Sequence, residues 1–425
     1  MSSTLYQPLS APLPDGVSAV WTRFALPRQL IFDALLVWYW LLLYFQSHTQ
    51  FVERFSILYF ALTLPVAAFV ALNIHHVLSL RLDRLTAPLM LYILIVSAVS
   101  AIRADFATAY NALLFTAPII LIVRHKLRVS LRLLNTLFLL SIVGAVITYS
   151  SGISEFGYLP GQSLMSADRG LEWRVSLFPV LPESAFFSLL VFFVNLLYSR
   201  GLKRYLFCAT AAYFLILSGN RTTTIVALMD MAVLFIARRI EFRKRGFYKA
   251  LFALLAVTFV VVVSMDAILI AIAFDNPYVA SYVFRSQKEM VDINEVAKTV
   301  YRSWLWQQHL QIFADSPLIG AGTFFLPDLL KEQLLESNID TGSESLLTGL
   351  LARVGLMIIP LLVFFGRLWT GTMEGRDRLG YCLCLALLIY SLAYGSFLVP
   401  YNFTFLLLFA VLNGVPQEGP AQTAS

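Results

Sequence analysis

The chain has 425 residues, 59% of them hydrophobic and 13% charged, with a mean hydropathy of +0.76, and no soluble class has that composition. The formal charge of +6 and pI near 9.2 do not point to nucleic acid, because Lys and Arg are confined to short loops between apolar runs, where they set membrane orientation. Cys208, Cys382 and Cys384 all lie inside apolar runs, which implies no disulfide framework; Cys382 and Cys384 would sit ~200° apart on a helix and read as packing.

The expected fold is therefore all-α, a polytopic integral membrane protein. Residues 1–28 are too polar and proline-bearing for a signal peptide, so they read as a cytoplasmic tail and the first apolar run as a retained anchor. A helix crosses ~30 Å of hydrocarbon with ~20 apolar residues, and ~17 are tolerated. By that rule about twelve spans are expected, at roughly 29–46, 55–73, 87–102, 109–123, 133–150, 185–198, 205–219, 222–237, 250–274, 346–366, 380–399 and 402–414. They make a single transmembrane domain, 29–414, with external loops at 151–184 and 275–344, and a cytoplasmic tail at 415–425. The longer loop falls between the ninth and tenth spans. No internal repeat relates the two halves, unlike the duplicated halves of many transporters.

Orientation follows from the loops. One set of alternate loops carries seventeen basic residues, among them Arg81, Arg124, Arg200, Arg238 and Arg376. The opposite short and medium loops carry five: Arg54, Arg103, Arg169, Arg174 and Arg221. The positive-inside rule then places both termini in the cytoplasm and 275–344 outside. That loop has ten acids against five bases and is the only long polar stretch in the chain.

Several residues on the outer side could carry chemistry. In LSGNRTTTIV, Ser218 and Gly219 permit a tight turn that leaves Arg221 at the N-terminal end of the eighth helix. A cation there opposes the helix dipole by ~0.3–1 kcal/mol. Either the arginine snorkels, or an anion on the helix N-terminus is bound by free N–H groups and guanidinium together. Thr341 and Glu344, in TGSES, have capping-box spacing; alternatively Glu344 is a partly desolvated general base at the aqueous boundary. Arg302 lies beside Trp304 and Trp306, an interfacial aromatic belt or a sugar-stacking site. Arg174 and Glu183 belong to the other external loop, and Pro182-Glu183 also reads as an ordinary first helical turn. The five histidines, His48, His75, His76, His125 and His309, form no recognised ligand spacing, so neither a metal nor a cofactor is expected. Asn220-Arg221-Thr222 and Asn402-Phe403-Thr404 match the glycosylation sequon but abut spans, and read as chance matches.

Three stretches carry a family likeness: SGNRTT at 218–223, RSWLWQQHLQIFADSPLIGAG at 302–322, and Glu344-Ser345 followed after nine residues by Gly355. Together they resemble the bacterial superfamily of O-antigen ligases and Wzy-type polysaccharide polymerases, with its SG-x-RT turn, its Arg-led approach to a P-x-x-G-x-G turn, and its His-[Asn/Ser/Gln]-x9-Gly spacing. Glutamate replaces that histidine here, which, with PESAFF at 182–187, looks more like the exopolysaccharide polymerases than the lipid A-core ligases. The likeness covers roughly 170–365; the first five spans match only in being apolar.

The resemblance implies a metal-independent, inverting glycosyltransferase at the outer face of the bacterial cytoplasmic membrane. Its donor and acceptor would be polyprenyl-diphosphate-linked oligosaccharides, with a chain-length regulator as a candidate partner and no role for nucleic acid. Glu344 and Arg221 are then the catalytic candidates, and Arg302, Arg174, Glu183 and Arg353 the substrate-binding ones. A ligase moving finished glycan to another acceptor, and a transporter or flippase for lipid-linked sugars, are the competing functions.

Overall fold

A computed structural model of the protein describes residues 28–44, 57–74, 84–103, 106–151, 176–178, 181–218, 220–237, 309–321, 346–374 and 403–413, with scattered positions from 380 to 389. All regular structure among them is helical. The helices are α1 (Arg28–Tyr44), α2 (Ile57–Leu72), α3 (Ala87–Ile102), α4 (Phe106–Arg124), α5 (Leu131–Ser151), α6 (Leu181–Tyr198), α7 (Gly201–Leu217), α8 (Arg221–Ala237), α9 (Leu346–Val354), α10 (Ile359–Glu374) and α11 (Phe403–Leu412). A 3₁₀ turn, Gly355–Ile358, joins α9 to α10. These occupy the first eight, the tenth and the twelfth expected spans. The span at 250–274 lies outside the described residues, as do most of both external loops.

Helix α6 is at the centre. Every residue from Ala185 to Leu190 is buried, and so is every residue of α11 from Phe403 to Val411. Phe187 of α6 meets Phe138 of α5, Phe178 and Phe403 of α11, with ring centroids 5.9, 5.5 and 5.4 Å away. Polar side chains join the helices where they are buried: Asn135 and Asn195 exchange amide hydrogen bonds of 3.1 and 2.8 Å, and Trp40 Nε1 donates to Ser141 Oγ at 2.8 Å. Such bonds fix neighbours that apolar packing alone would leave free to slide.

The outside of the bundle is apolar too. On α5, Leu139, Leu140, Val143, Val146 and Ile147 form an exposed stripe, while Leu134, Leu137, Phe138 and Ala145 face inward. A helix apolar on both faces belongs in lipid or in a core. By length and composition one described helical run, Leu347–Gly371, of 25 residues, is sufficient to cross a membrane; the other apolar stretches run 10–17 residues.

Contacts sort to two ends. At one, Gln29 Nε2 donates to Arg128 O at 2.6 Å, Asn413 Nδ2 to Ile122 O at 2.8 Å, and Arg124 Nε to Thr86 Oγ1 at 3.1 Å. At the other, Arg103 Nη1 donates to Gly320 O at 3.2 Å, and Thr404 Oγ1 donates to Glu183. The first set joins residues at or beside loops rich in Lys and Arg, and the second joins the start of α6 to the start of α11 and the end of α3 to the turn at 317–321.

The 3₁₀ turn has a local cause. Gly355 has φ +57°, a left-handed conformation, and so does Gly320 at +61°. The break leaves Ala352 O and Leu356 N without α-helical partners, and the turn at 317–321 takes both: Ala321 N donates to Ala352 O and Leu356 N to Pro317 O, each at 2.8 Å. A Cβ on Gly355 would stand 2.5 Å from Pro317 O, and one on Gly320 would stand 2.4 Å from Arg353 C. Left-handed backbone costs a non-glycine residue roughly 1–2 kcal/mol before any clash. Gly355→Ala is therefore expected to destabilise by more than about 3 kcal/mol, read as lost thermal stability in detergent. Gly366→Ala, where an added Cβ meets nothing within 4 Å, is the control and should be near neutral.

Candidate functional site

The short connections at 199–200 and 218–220 force α6, α7 and α8 to alternate, so Glu183 and Arg221 lie at the same end. Helix α8 begins at Arg221, where the sequence places its start. The cap comes from Asn220: its Oδ1 accepts from Thr223 N and from Thr223 Oγ1, both at 3.0 Å, and its backbone N–H donates to Ser218 Oγ at 3.2 Å. Asn220 and Thr223 thus form an N-cap, which explains the asparagine in SGNRTT without glycosylation. The remaining first-turn amides are donors that an α-helix leaves without an intrahelical acceptor, and the positive end of the dipole lies there.

Glu183 is in the first turn of α6, 1% exposed, and accepts a hydrogen bond from Thr404 of α11. The neighbouring Ser184 accepts from Leu177 N at 2.7 Å, which draws the end of the 151–184 loop onto α6.

Arg353 lies in the last turn of α9, 7% exposed. Its charge acts on Tyr92 of α3 and on His309. His309 was absent from the sequence candidates. It is fully buried at the start of the described segment 309–321; its Nδ1 is 3.0 Å from Thr348 Oγ1, and Nε2 has no hydrogen-bond partner. Burial first, and the Arg353 cation second, push the imidazole down to about 4. No local spacing could reveal this histidine, because its partner is 39 residues away.

The structure therefore brings Arg353, His309, Thr348, Gly320 and Arg103 together, and places the α8 N-terminus and Glu183 at the same end. Arg174, Arg302 and Glu344 lie outside the described residues; the helix after Glu344 starts at Leu346. Among the described residues, no three or more His, Cys, Asp or Glu side chains are grouped to hold a metal ion.

The described residues form a helical bundle apolar inside and out, with one helical run long and apolar enough to cross a membrane and with cations, a buried imidazole and a helix N-terminus at one end. Residues 206–366 match the family model described as O-antigen ligase, and that match supports the O-antigen ligase and Wzy-type superfamily the motifs resemble. The matched segment includes Arg221, Arg302, His309, Glu344 and Arg353, and excludes Arg103, Arg174 and Glu183. No curated protein matches the chain.

Proposed function

We propose that the protein is a polysaccharide polymerase, an inverting, metal-independent glycosyltransferase that joins polyprenyl-diphosphate-linked oligosaccharide repeat units. In this reading it has twelve spans and works at the outer face of the bacterial cytoplasmic membrane. The observation that carries it is the family match over 206–366, within which the SGNRTT turn opens α8 and the P-x-x-G-x-G turn docks on Gly355.

Glu344 takes the proton of the acceptor hydroxyl as that oxygen bonds to the donor's anomeric carbon. The bond from that carbon to phosphate breaks, and polyprenyl diphosphate leaves. Arg221 with the first-turn amides of α8, supported by Arg302 and Arg174, stabilises the leaving charge, each charge-assisted bond contributing about 1.5–3 kcal/mol. Arg353 and Glu183 line the sugar side. The external segment covers the bound sugars, and a chain-length regulator is the candidate partner.

The family description favours one other reading, a ligase that transfers finished glycan to a different acceptor. Product analysis separates the two. A polymerase given purified lipid-linked units is expected to make a ladder of repeats, and its deletion strain should accumulate single lipid-linked units on the outer leaflet. A single transfer product without a ladder would identify a ligase. Accumulation on the inner leaflet would identify a flippase.

A further inference from the structure

Three exposed cations stand together where α5 and α7 begin. Arg132 is the second residue of α5, Arg200 immediately precedes α7, and Lys203 lies in the first turn of α7, where no residue is acidic. Among the described residues none of the three makes an ion pair. Asp33 of α1, a described carboxylate at this end, is engaged by Gln29 Nε2 at 2.8 Å.

Amide hydrogen bonds set the spacing of these charges. Asn135 lies one turn beyond Arg132 on α5 and exchanges hydrogen bonds with Asn195 of α6. Ser199 Oγ donates to Asn195 Oδ1 at 2.6 Å, and Arg200 is the next residue. These bonds tie the start of α5 to the connection before α7. Both helices pack on α6, and they meet each other where Phe138 and Phe214 make an edge contact with ring centroids 6.3 Å apart.

Each group of charges also heads an exposed apolar stripe. From Arg132 the outer face of α5 continues through Leu139, Leu140 and Val143. Beside Lys203 the outer face of α7 carries Leu202, Leu206 and Tyr213. The orientation rule accounts for cations in these loops. It does not require them to be joined at one corner, without an acid, above two apolar stripes.

We propose that this corner binds an anionic phospholipid with two phosphates, of the diphosphatidylglycerol class, in the leaflet that meets the basic loops. Arg132 takes one phosphate, Arg200 with Lys203 takes the other, and the acyl chains lie along the stripes of α5 and α7. Three cations exceed the charge of one phosphodiester, and a guanidinium holds a phosphate through two parallel N–H bonds. Arg200 and Arg221 lie at opposite ends of α7, so the inference does not rest on the glycan-transfer reading.

The test uses the full chain in a neutral detergent with diphosphatidylglycerol as the probe, read by native mass spectrometry and thermal unfolding. Wild type is expected to retain one such lipid, and its unfolding temperature should rise with added lipid to a saturable midpoint. Arg132→Gln and Lys203→Gln should each weaken that midpoint about fivefold, and together about 25-fold. Arg84→Gln is the control. It removes the same charge at the same end, but beside Arg367, which bonds its carbonyl, and should change the midpoint less than about twofold. Phosphatidylglycerol, with one phosphodiester, should need about tenfold more lipid at equal total charge.

An equal loss in Arg84→Gln would reduce the effect to the general field of the basic face and overturn the proposal. So would phosphatidylglycerol acting as well as the two-phosphate lipid, or stabilisation that never saturates. Displacement by millimolar inorganic pyrophosphate would identify a site for a soluble anion and overturn it too. If the double variant does not fold, the single substitutions carry the same outcomes.

Discussion

Glu344→Gln is expected to leave the protein inserted at its normal level and to cut polymer formation by about 10²–10⁴-fold, the range that a positioned general base contributes. Glutamine is the informative substitution because it separates the two roles open to this residue. In a capping box, glutamine at that position serves as well as glutamate, so a purely structural Glu344 would tolerate the change. A base would not, since a carboxamide cannot take the acceptor's proton. The described part of α9 begins at Leu346, and a lost cap would show as faster exchange there. Severe loss of polymer with unchanged exchange there is the expected pair of results. Normal polymer at equal protein level would rule out the base.

Much of the bundle was legible because lipid imposes a crude and strong rule on composition. Span 87–102 and α3 coincide, and α1, α2, α4 to α8 and α11 begin and end within about four residues of the apolar runs that announced them, whereas α9 and α10 divide the run expected at 346–366 and α10 continues to Glu374. The site was legible only where its geometry is local. Arg221 at a helix start could be read from the Ser218-Gly219 turn, but the Asn220 cap was hidden behind a sequon match, although Asn followed three residues later by Thr is also capping chemistry. The Gly355 break was visible as a motif glycine and not as a break, because the atom that forbids a side chain there, Pro317 O, belongs to another segment. The same holds for Glu183 with Thr404, and for His309 with Thr348. Period and charge bias describe one helix at a time, whereas these contacts are set by which helices become neighbours.

Arg221→Lys is expected to lower kcat/KM for a purified lipid-linked donor by about 10²-fold, the size of losing one preorganised donor to a developing oxyanion. Charge is conserved in this variant, and so is the Asn220 cap, which bonds Thr223 and not residue 221. Any large loss must then come from geometry. Lysine presents a point charge, while a guanidinium gives two parallel N–H donors to adjacent phosphate oxygens. If Arg221 merely snorkels, lysine is an adequate replacement, since both reach the interface on a flexible apolar stem, and turnover should be near normal. Loss of the cap by Asn220→Ala provides the contrast: it should cost about 1 kcal/mol of stability and act through the fraction folded. A variant that keeps its thermal stability yet loses turnover assigns the defect to the leaving group's charge at the start of α8, and near-normal turnover of the lipid-linked donor would withdraw Arg221 from the chemistry altogether.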